Sequence, residues 1–150
     1  MTVTAEPVVL DTDVLSELCR GEPRTTERAR DYLRTFGRLT TTSITVFERL
    51  RGYRLAIREG KPYDRQLKMF EALIASCFVL PLDEDAAAVA ARIWAAATRK
   101  QRQHLGDILI AAIAVSRQLP LVTRNRADFE ELQGSSGIGP RLLDWSRPRQ

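Results

Sequence analysis

Cysteine, histidine and lysine are all scarce in this 150-residue chain, and each scarcity closes off a class of chemistry. The two cysteines, Cys19 and Cys77, form no C-x-x-C pair and are too few for a disulfide framework, so they read as reduced, buried thiols in a cytosol. A single histidine, His104, excludes RNA cleavage by two imidazoles acting as acid and base. Without a Cys/His cluster there is also no basis for a zinc site. No G-x-S-x-G nucleophile elbow occurs. The longest apolar run, Ile108 to Val115, is far too short to span a bilayer, and the opening "MTVTAEP" lacks the basic region of a signal peptide. The expectation is a cytoplasmic protein with no membrane partner.

What is present describes one domain over residues 1–150. With 44% hydrophobic and 28% charged residues and no repeat, the chain has the composition of an ordinary globular protein, with disorder expected only at its ends. Of the 23 basic residues 20 are arginine, against 19 acids, for a net charge of +4. Guanidinium groups grip phosphates bidentately and stack on bases, so nucleic acid is a plausible partner.

Strand-like and helix-like segments alternate. Val8 to Leu10 form a short apolar run, and "DVLSELCRG" follows with helical spacing and Gly21 as a stop. "LTTTSITVFERLRGYRLAIREG" begins β-branched and turns helical after Ser43, read as its N-cap. "CFVLPLDEDAAAVAARIWAAATRK" repeats the plan, with Asp83 as cap and Ala86, Val89, Ala90, Ile93, Trp94 and Ala97 at helical spacing. The helix in "HLGDILIAAIAVSRQ" is apolar nearly all round and hence buried, and "LPLVTRN" supplies a fourth strand. Extra helices are expected in "PRTTERARDYLRTFG" and "KPYDRQLKMFEALIAS", and a last short strand near "RLLDW". Such alternation, without hairpin signals, predicts an α/β fold: three layers, α/β/α, around a mostly parallel sheet of four to five strands. Ligands of such sheets bind beyond the carboxyl ends of the strands.

Four acids fall near that edge, and each has two readings. Asp11 closes the first strand, where it is a helix N-cap or a ligand. Glu48 shares a helical stripe with Ile44 and Leu55, and either pairs with a neighbouring Arg49 or Arg51 or faces a site. Asp107 opens the buried helix, compensating its dipole or serving chemistry. Asp128, in "TRNRADF", caps a helical turn or adds a fourth carboxylate. Carboxylates converging without a basic partner repel and raise one another's pKa values unless a cation sits among them, and oxygen donors select Mg²⁺ or Mn²⁺.

The ordered set "VVLDTDVLSEL", "TVFERLRG", "GDILIAAIAV" and "LVTRNRADF", spanning nearly the whole chain, resembles the four motifs of PIN-domain ribonucleases, most closely the VapC-like toxins. The resemblance implies that Asp11, Glu48 and Asp107 are the core catalytic and metal-holding acids with Asp128 the fourth, supported by Thr12, Ser16, Thr123 and Asn125. It implies Mg²⁺- or Mn²⁺-dependent endonucleolytic cleavage of RNA leaving a 5′-phosphate, a homodimer held through helices such as those carrying "RIWAAA" or "YRLAI", and inhibition by a cognate antitoxin. Two positions depart from the pattern. The third residue of the first motif, often Asn or Ser, is Asp13, whose expected role is helix-dipole compensation, and one acid position of the family is Asn125.

Setting those four of the 19 acids aside leaves 15 against 23 basic residues, an excess of +8, which suits an acidic pit in a basic surface. Candidate rim residues are Arg20, Arg24, Arg99, Lys100, Arg102, Arg124 and Arg126. Two other readings compete. "VVLDTDV" is similar to the first motif of haloacid-dehalogenase-type phosphatases, but that mechanism needs a late lysine and none follows Lys100. A non-catalytic RNA-binding or scaffold module on the same fold is opposed by the presence of all four acids.

Overall fold

A computed structural model of the chain describes residues 5–148, so the termini expected to lack order lie, at 1–4 and 149–150, outside the described residues. The chain runs β1 (Val9–Leu10), α1 (Thr12–Cys19), α2 (Pro23–Phe36), β2 (Thr40–Thr42), α3 (Ser43–Arg58), α4 (Asp64–Ala75) and β3 (Phe78–Leu80). It continues through α5 (Glu84–Ala96), α6 (Arg99–Arg102), α7 (Leu105–Ser116), β4 (Leu121–Val122), α8 (Arg126–Ser136) and β5 (Leu142–Leu143). All strand pairs are parallel, as the alternation requires.

The expected single sheet is divided in its hydrogen bonding. Strands β1, β4 and β5 form one ladder in the order β1-β4-β5, and β2 and β3 form another. Strand β2 lies beside β1, but the link there is a side chain: the buried Thr41 hydroxyl donates to the Leu10 carbonyl at 2.9 Å, occupying an acceptor a ladder bond would use. Successive side chains of β1 point to opposite faces, which gives the molecule its two cores. Val8 and Leu10 face a cluster with Val14, Leu15, Tyr32, Tyr53 and Phe70, while Val9 and Leu121 face Ala90, Ile93, Ile108 and Ala112. The alanine-rich faces of α5 and α7 pack directly together, and α7 is the most apolar helix, with Ile108 and the run Ile110–Ala114 buried.

Several local expectations are corrected. The N-cap of α3 is Thr42, whose hydroxyl accepts the Thr45 N–H at 3.2 Å, and Ser43 is the first helical residue. Both types cap well, so the sequence does not choose between them. Leu55 is 59% exposed, so the stripe it shares with Glu48 is not the core face of α3, whose buried residues are Thr45 and Tyr53. Trp94 is 45% exposed even though the Arg102 guanidinium lies over its indole, 4.1 Å from the ring centroid. Both cysteines are free, with Cys77 buried and Cys19 only partly so.

Candidate active site

Asp11 stands where β1 ends and α1 begins. Its N–H continues the ladder to the Val122 carbonyl at 2.9 Å, and its carboxylate accepts the Thr12 N–H at 2.8 Å as the N-cap of α1. The second oxygen accepts the Thr123 hydroxyl at 2.8 Å. Asp11 is only 5% exposed, and burial first, then the Asp13 charge, pushes its pKa up to about 7 against the pull of those two hydrogen bonds. Asp11 is thus the N-cap of α1, and capping leaves the site reading of this residue open.

Glu48 reaches the same place from α3. Its Oε1 accepts the Thr12 hydroxyl at 3.0 Å, and that hydroxyl also meets the Thr45 hydroxyl at 3.0 Å, so a chain of threonines ties α1 to α3. The carboxylate lies against the backbone of Gly106: a Cβ there would meet Glu48 Oε2 at 2.6 Å. Glu48 can thus rest in this position only because residue 106 carries no side chain. One residue on, Asp107 sits in the first turn of α7 with its pKa raised to about 6, by burial first and then by the charges of Glu48 and Asp128.

Together Asp11, Asp13, Glu48 and Asp107 line one open cleft of about 520 Å³. Thr12, Ser16, Arg124 and Asn125 complete its wall. Ser16 donates to the Thr12 carbonyl at 3.0 Å, and the Asn125 N–H donates to the Thr123 hydroxyl at 2.9 Å. Asp128 does not line this cleft. It lies exposed in the first turn of α8, in an adjoining depression shared with Asp107, Lys100 and His104, close enough to act on Asp107 by charge. Asp13 is in the first turn of α1, where dipole compensation was expected, and it does more: Oδ2 accepts the Arg124 N–H at 3.0 Å, while Oδ1 is buried with no hydrogen-bond partner among the described residues. Burial foremost raises its pKa.

Sequence reasoning missed Glu17. It is 4% exposed, accepts the Thr25 hydroxyl at 2.8 Å, and pairs with the Arg124 guanidinium at 3.0 Å. Its only local signal was its place one helical turn after Asp13. Of the basic rim candidates, Arg124 lines the cleft and Lys100 the adjoining depression, whereas Arg126 pairs with Glu130 and Arg24 reaches the Ser146 carbonyl.

The PIN domain profile matches residues 8–134. The chain belongs to the PIN-domain family. Ribonuclease VapC5 of Mycobacterium tuberculosis (strain ATCC 25618 / H37Rv) is 33% identical over 143 residues, which cover 92% of this chain and 96% of that protein. Among solved structures, a DNA-bound VapBC from Salmonella typhimurium superposes with a TM-score of 0.71 at 27% identity, covering 94% of this chain and 99% of its own. VapBC-5 from Mycobacterium tuberculosis, a member of the VapBC family of toxin-antitoxin systems, gives a TM-score of 0.56 at 25% identity, covering 93% of this chain and all of its own.

In this PIN domain the donor set suits a hard divalent cation in kind. It consists of carboxylate oxygens, it has two carboxyl groups held above their ordinary pKa by burial and by neighbouring carboxylates, and Asp13 Oδ1 is a buried acceptor with no hydrogen-bond donor among the described residues. As the side chains stand, no group of three or more acids, histidines or cysteines among the described residues is closed enough to hold an ion.

Proposed function

We propose that this PIN domain is a Mg²⁺- or Mn²⁺-dependent endoribonuclease and the toxin of a toxin-antitoxin pair. The observation that carries the reading is the meeting of Asp11, Glu48 and Asp107, from a strand end and two helices, in one open cleft at the carboxyl edge of the sheet. The similarity to Ribonuclease VapC5 supports RNA as substrate. Asp11, Glu48 and Asp107 would hold the ion, with Asp13 beside them and Asp128 acting on Asp107 through its charge. The bound ion supplies polarisation of the scissile phosphate and acidification of the attacking water.

The protein's own contribution is placement. Asp11 is fixed at a strand end by Thr12 and Thr123, and Glu48 is steered by Thr12 and pressed against Gly106. Asn125 and Ser16 offer polar groups to the phosphate from the cleft wall, and Arg124 offsets its charge. Replacing Asp11 by Asn is expected to abolish metal-dependent cleavage of total RNA while leaving the far-UV circular dichroism unchanged. Wild-type turnover by Asp11→Asn at saturating Mg²⁺ would remove Asp11 from the site.

Control in the cytoplasm follows from the same geometry. An antitoxin arginine placed among Asp11, Glu48 and Asp107 would satisfy the carboxylates bidentately and replace the charge of the ion, so inhibitor and Mg²⁺ compete. The similar VapBC structures support a protein partner. Titration with the product of the neighbouring gene at low and high Mg²⁺ tests this, and inhibition indifferent to Mg²⁺ would overturn the exchange. The exposed Leu55 and Trp94 leave apolar surface for a homodimer, which light scattering at micromolar concentration checks.

A further inference from the structure

On the far side of Glu48 lies a second hollow, of about 270 Å³, whose lining changes character: Arg49, Tyr53, Lys61 and Tyr63 stand where the cleft has acids. Glu48 lines both hollows, so the two adjoin at one side chain. Among the described residues the cations of this hollow are not neutralised by a neighbouring acid, a state they share with other surface cations such as Arg102. Arg34, Arg117, Arg124, Arg126, Arg141 and Arg147 each pair with a carboxylate, whereas among the described residues neither Arg49 nor Lys61 has one within ion-pair distance.

Arg49 is held by other means. One amino group donates to the Tyr53 hydroxyl at 2.5 Å, and the guanidinium lies 4.9 Å from the centroid of that ring. Its Nε is buried without an acceptor, and its other amino group makes no hydrogen bond among the described residues. Lys61 is set on the rim by the turn after α3, where Gly60 takes a φ of 84° and the Lys61 N–H closes on the Ala56 carbonyl at 2.9 Å. Tyr63 is 41% exposed, its ring 6.3 Å from that of Tyr53, which itself packs on the buried Phe70. A fixed guanidinium with spare donors, an ammonium and an open aromatic face in one hollow form a receptor for a phosphodiester with its base, the combination that single-stranded nucleic-acid sites use.

We infer that this hollow is a nucleotide subsite for single-stranded RNA: a phosphate flanking the scissile bond sits on Arg49 and Lys61, and a base stacks on Tyr63. The inference rests on the ribonuclease reading of the acidic cleft. It gives the strand a direction of travel, from the cleft across Glu48 and towards the turn between α3 and α4.

The test is fluorescence anisotropy with a fluorescein-labelled oligouridylate of about ten nucleotides, in EDTA so that nothing is cleaved, over a range of salt concentrations. Tyr63→Ala is expected to weaken binding about tenfold, and Tyr63→Phe to restore it, because the ring and not the hydroxyl carries the stacking. Lys61→Gln is expected to weaken binding and to lower the logarithmic salt slope by about 0.7, the value of one lost phosphate contact on a single strand. With metal present, both Tyr63→Ala and Lys61→Gln should raise KM more than they lower kcat. Lys68→Gln, exposed on α4 and outside the hollow, is the control for loss of charge alone. If the wild-type protein binds and cleaves RNA but Tyr63→Ala and Lys61→Gln match it in affinity and slope, the subsite is overturned and the ribonuclease reading stands. A wild-type protein that neither binds nor cleaves RNA overturns both. Variants that keep RNA affinity but lose the neighbouring gene's product would assign the hollow to a protein partner and overturn the subsite.

Discussion

The Thr123 hydroxyl donates to Asp11 Oδ2 at 2.8 Å, joining residues 112 apart in sequence at the ends of two adjacent parallel strands. The same hydroxyl accepts the Asn125 N–H, so one side chain fixes both the carboxylate and the loop that follows β4. Thr123→Val keeps the shape and removes both bonds. It leaves a buried carboxylate short of a donor and an N–H short of an acceptor, and should lower stability by about 1–3 kcal/mol in urea unfolding. Because this bond is one of those holding the Asp11 pKa down, the acid limb of the pH–rate profile should also move to higher pH. Thr123→Ser should restore both properties, and an unmoved profile in Thr123→Val would detach Asp11 from the rate.

Gly106 offers a cleaner separation of activity from folding. A Cβ there would lie 2.6 Å from Glu48 Oε2 and 3.1 Å from Cδ, so Gly106→Ala must push the carboxylate aside. The atom displaced is the tip of a flexible side chain, and alanine is a better helix former than glycine by about 1 kcal/mol. Stability should therefore hold or rise. Cleavage should fall by about tenfold or more, because the Thr12–Glu48 bond and the placement of the acid are lost together. Melting temperature and single-turnover rate, measured on one preparation, check the pair of outcomes; equal losses in both would mean that helix packing and not Glu48 was disturbed.

These relationships show what a linear reading can reach. Asp11 and Asp107 are legible because each sits at a change of pattern, from apolar run to helix or at the head of an all-apolar helix, and such junctions lie at the carboxyl edge of a parallel sheet. Glu48 is legible as an acid on a helix following a strand, although the stripe it was placed on is partly solvent-facing, as Leu55 shows. The position of Asp128 is not legible, because the direction in which α8 leaves β4 decides whether its first turn enters the cleft or flanks it. Nor is the Glu17–Arg124 pair, whose members are 107 residues apart with nothing local to either that points to the other. The division of the sheet is equally silent, since strands of two and three residues leave the choice between a ladder bond and the Thr41–Leu10 bond to packing.

The raised carboxyl groups make stability depend on pH in a definite direction. The Asp11 pKa lies at about 7 and that of Asp107 at about 6 in the folded chain, against 3.8 for each in its ordinary state. Between these limits the folded protein holds protons that the unfolded chain has released, so stability falls as pH rises from about 4 to about 7. For Asp11 the upper bound is about 4 kcal/mol at 1.36 kcal/mol per unit; the more exposed Asp107 adds less. Without metal, the protein should melt at a higher temperature at pH 5 than at pH 8, and Asp11→Asn should flatten that difference. Divalent cations bind the deprotonated carboxylates, so Mg²⁺ should raise Tm at pH 8 and barely at pH 5. Thermal scans in EDTA and in Mg²⁺ at the two pH values decide it, and a Mg²⁺ shift equal at both would disconnect the ion from these acids.

Glu17 and Arg124 set the last expectation, because their pair reaches the cleft from behind. Glu17 is buried on α1 with one oxygen on the Thr25 hydroxyl and the other on the Arg124 guanidinium, while the Arg124 N–H holds Asp13. Removing Arg124 leaves Glu17 buried with a single donor, a loss that its half-exposed partner limits to about 1–2 kcal/mol. Glu17→Gln acts differently. It keeps the volume and can still accept from Thr25, but it frees the guanidinium from its anchor at the cleft wall. If Arg124 meets the substrate phosphate from an anchored position, Glu17→Gln should raise KM for RNA several-fold with little change in urea midpoint, and Arg124→Lys should not restore binding, because an ammonium cannot fork between Glu17 and a phosphate. Wild-type KM in Glu17→Gln together with a lowered midpoint would reduce the pair to a clasp between α1 and the loop after β4.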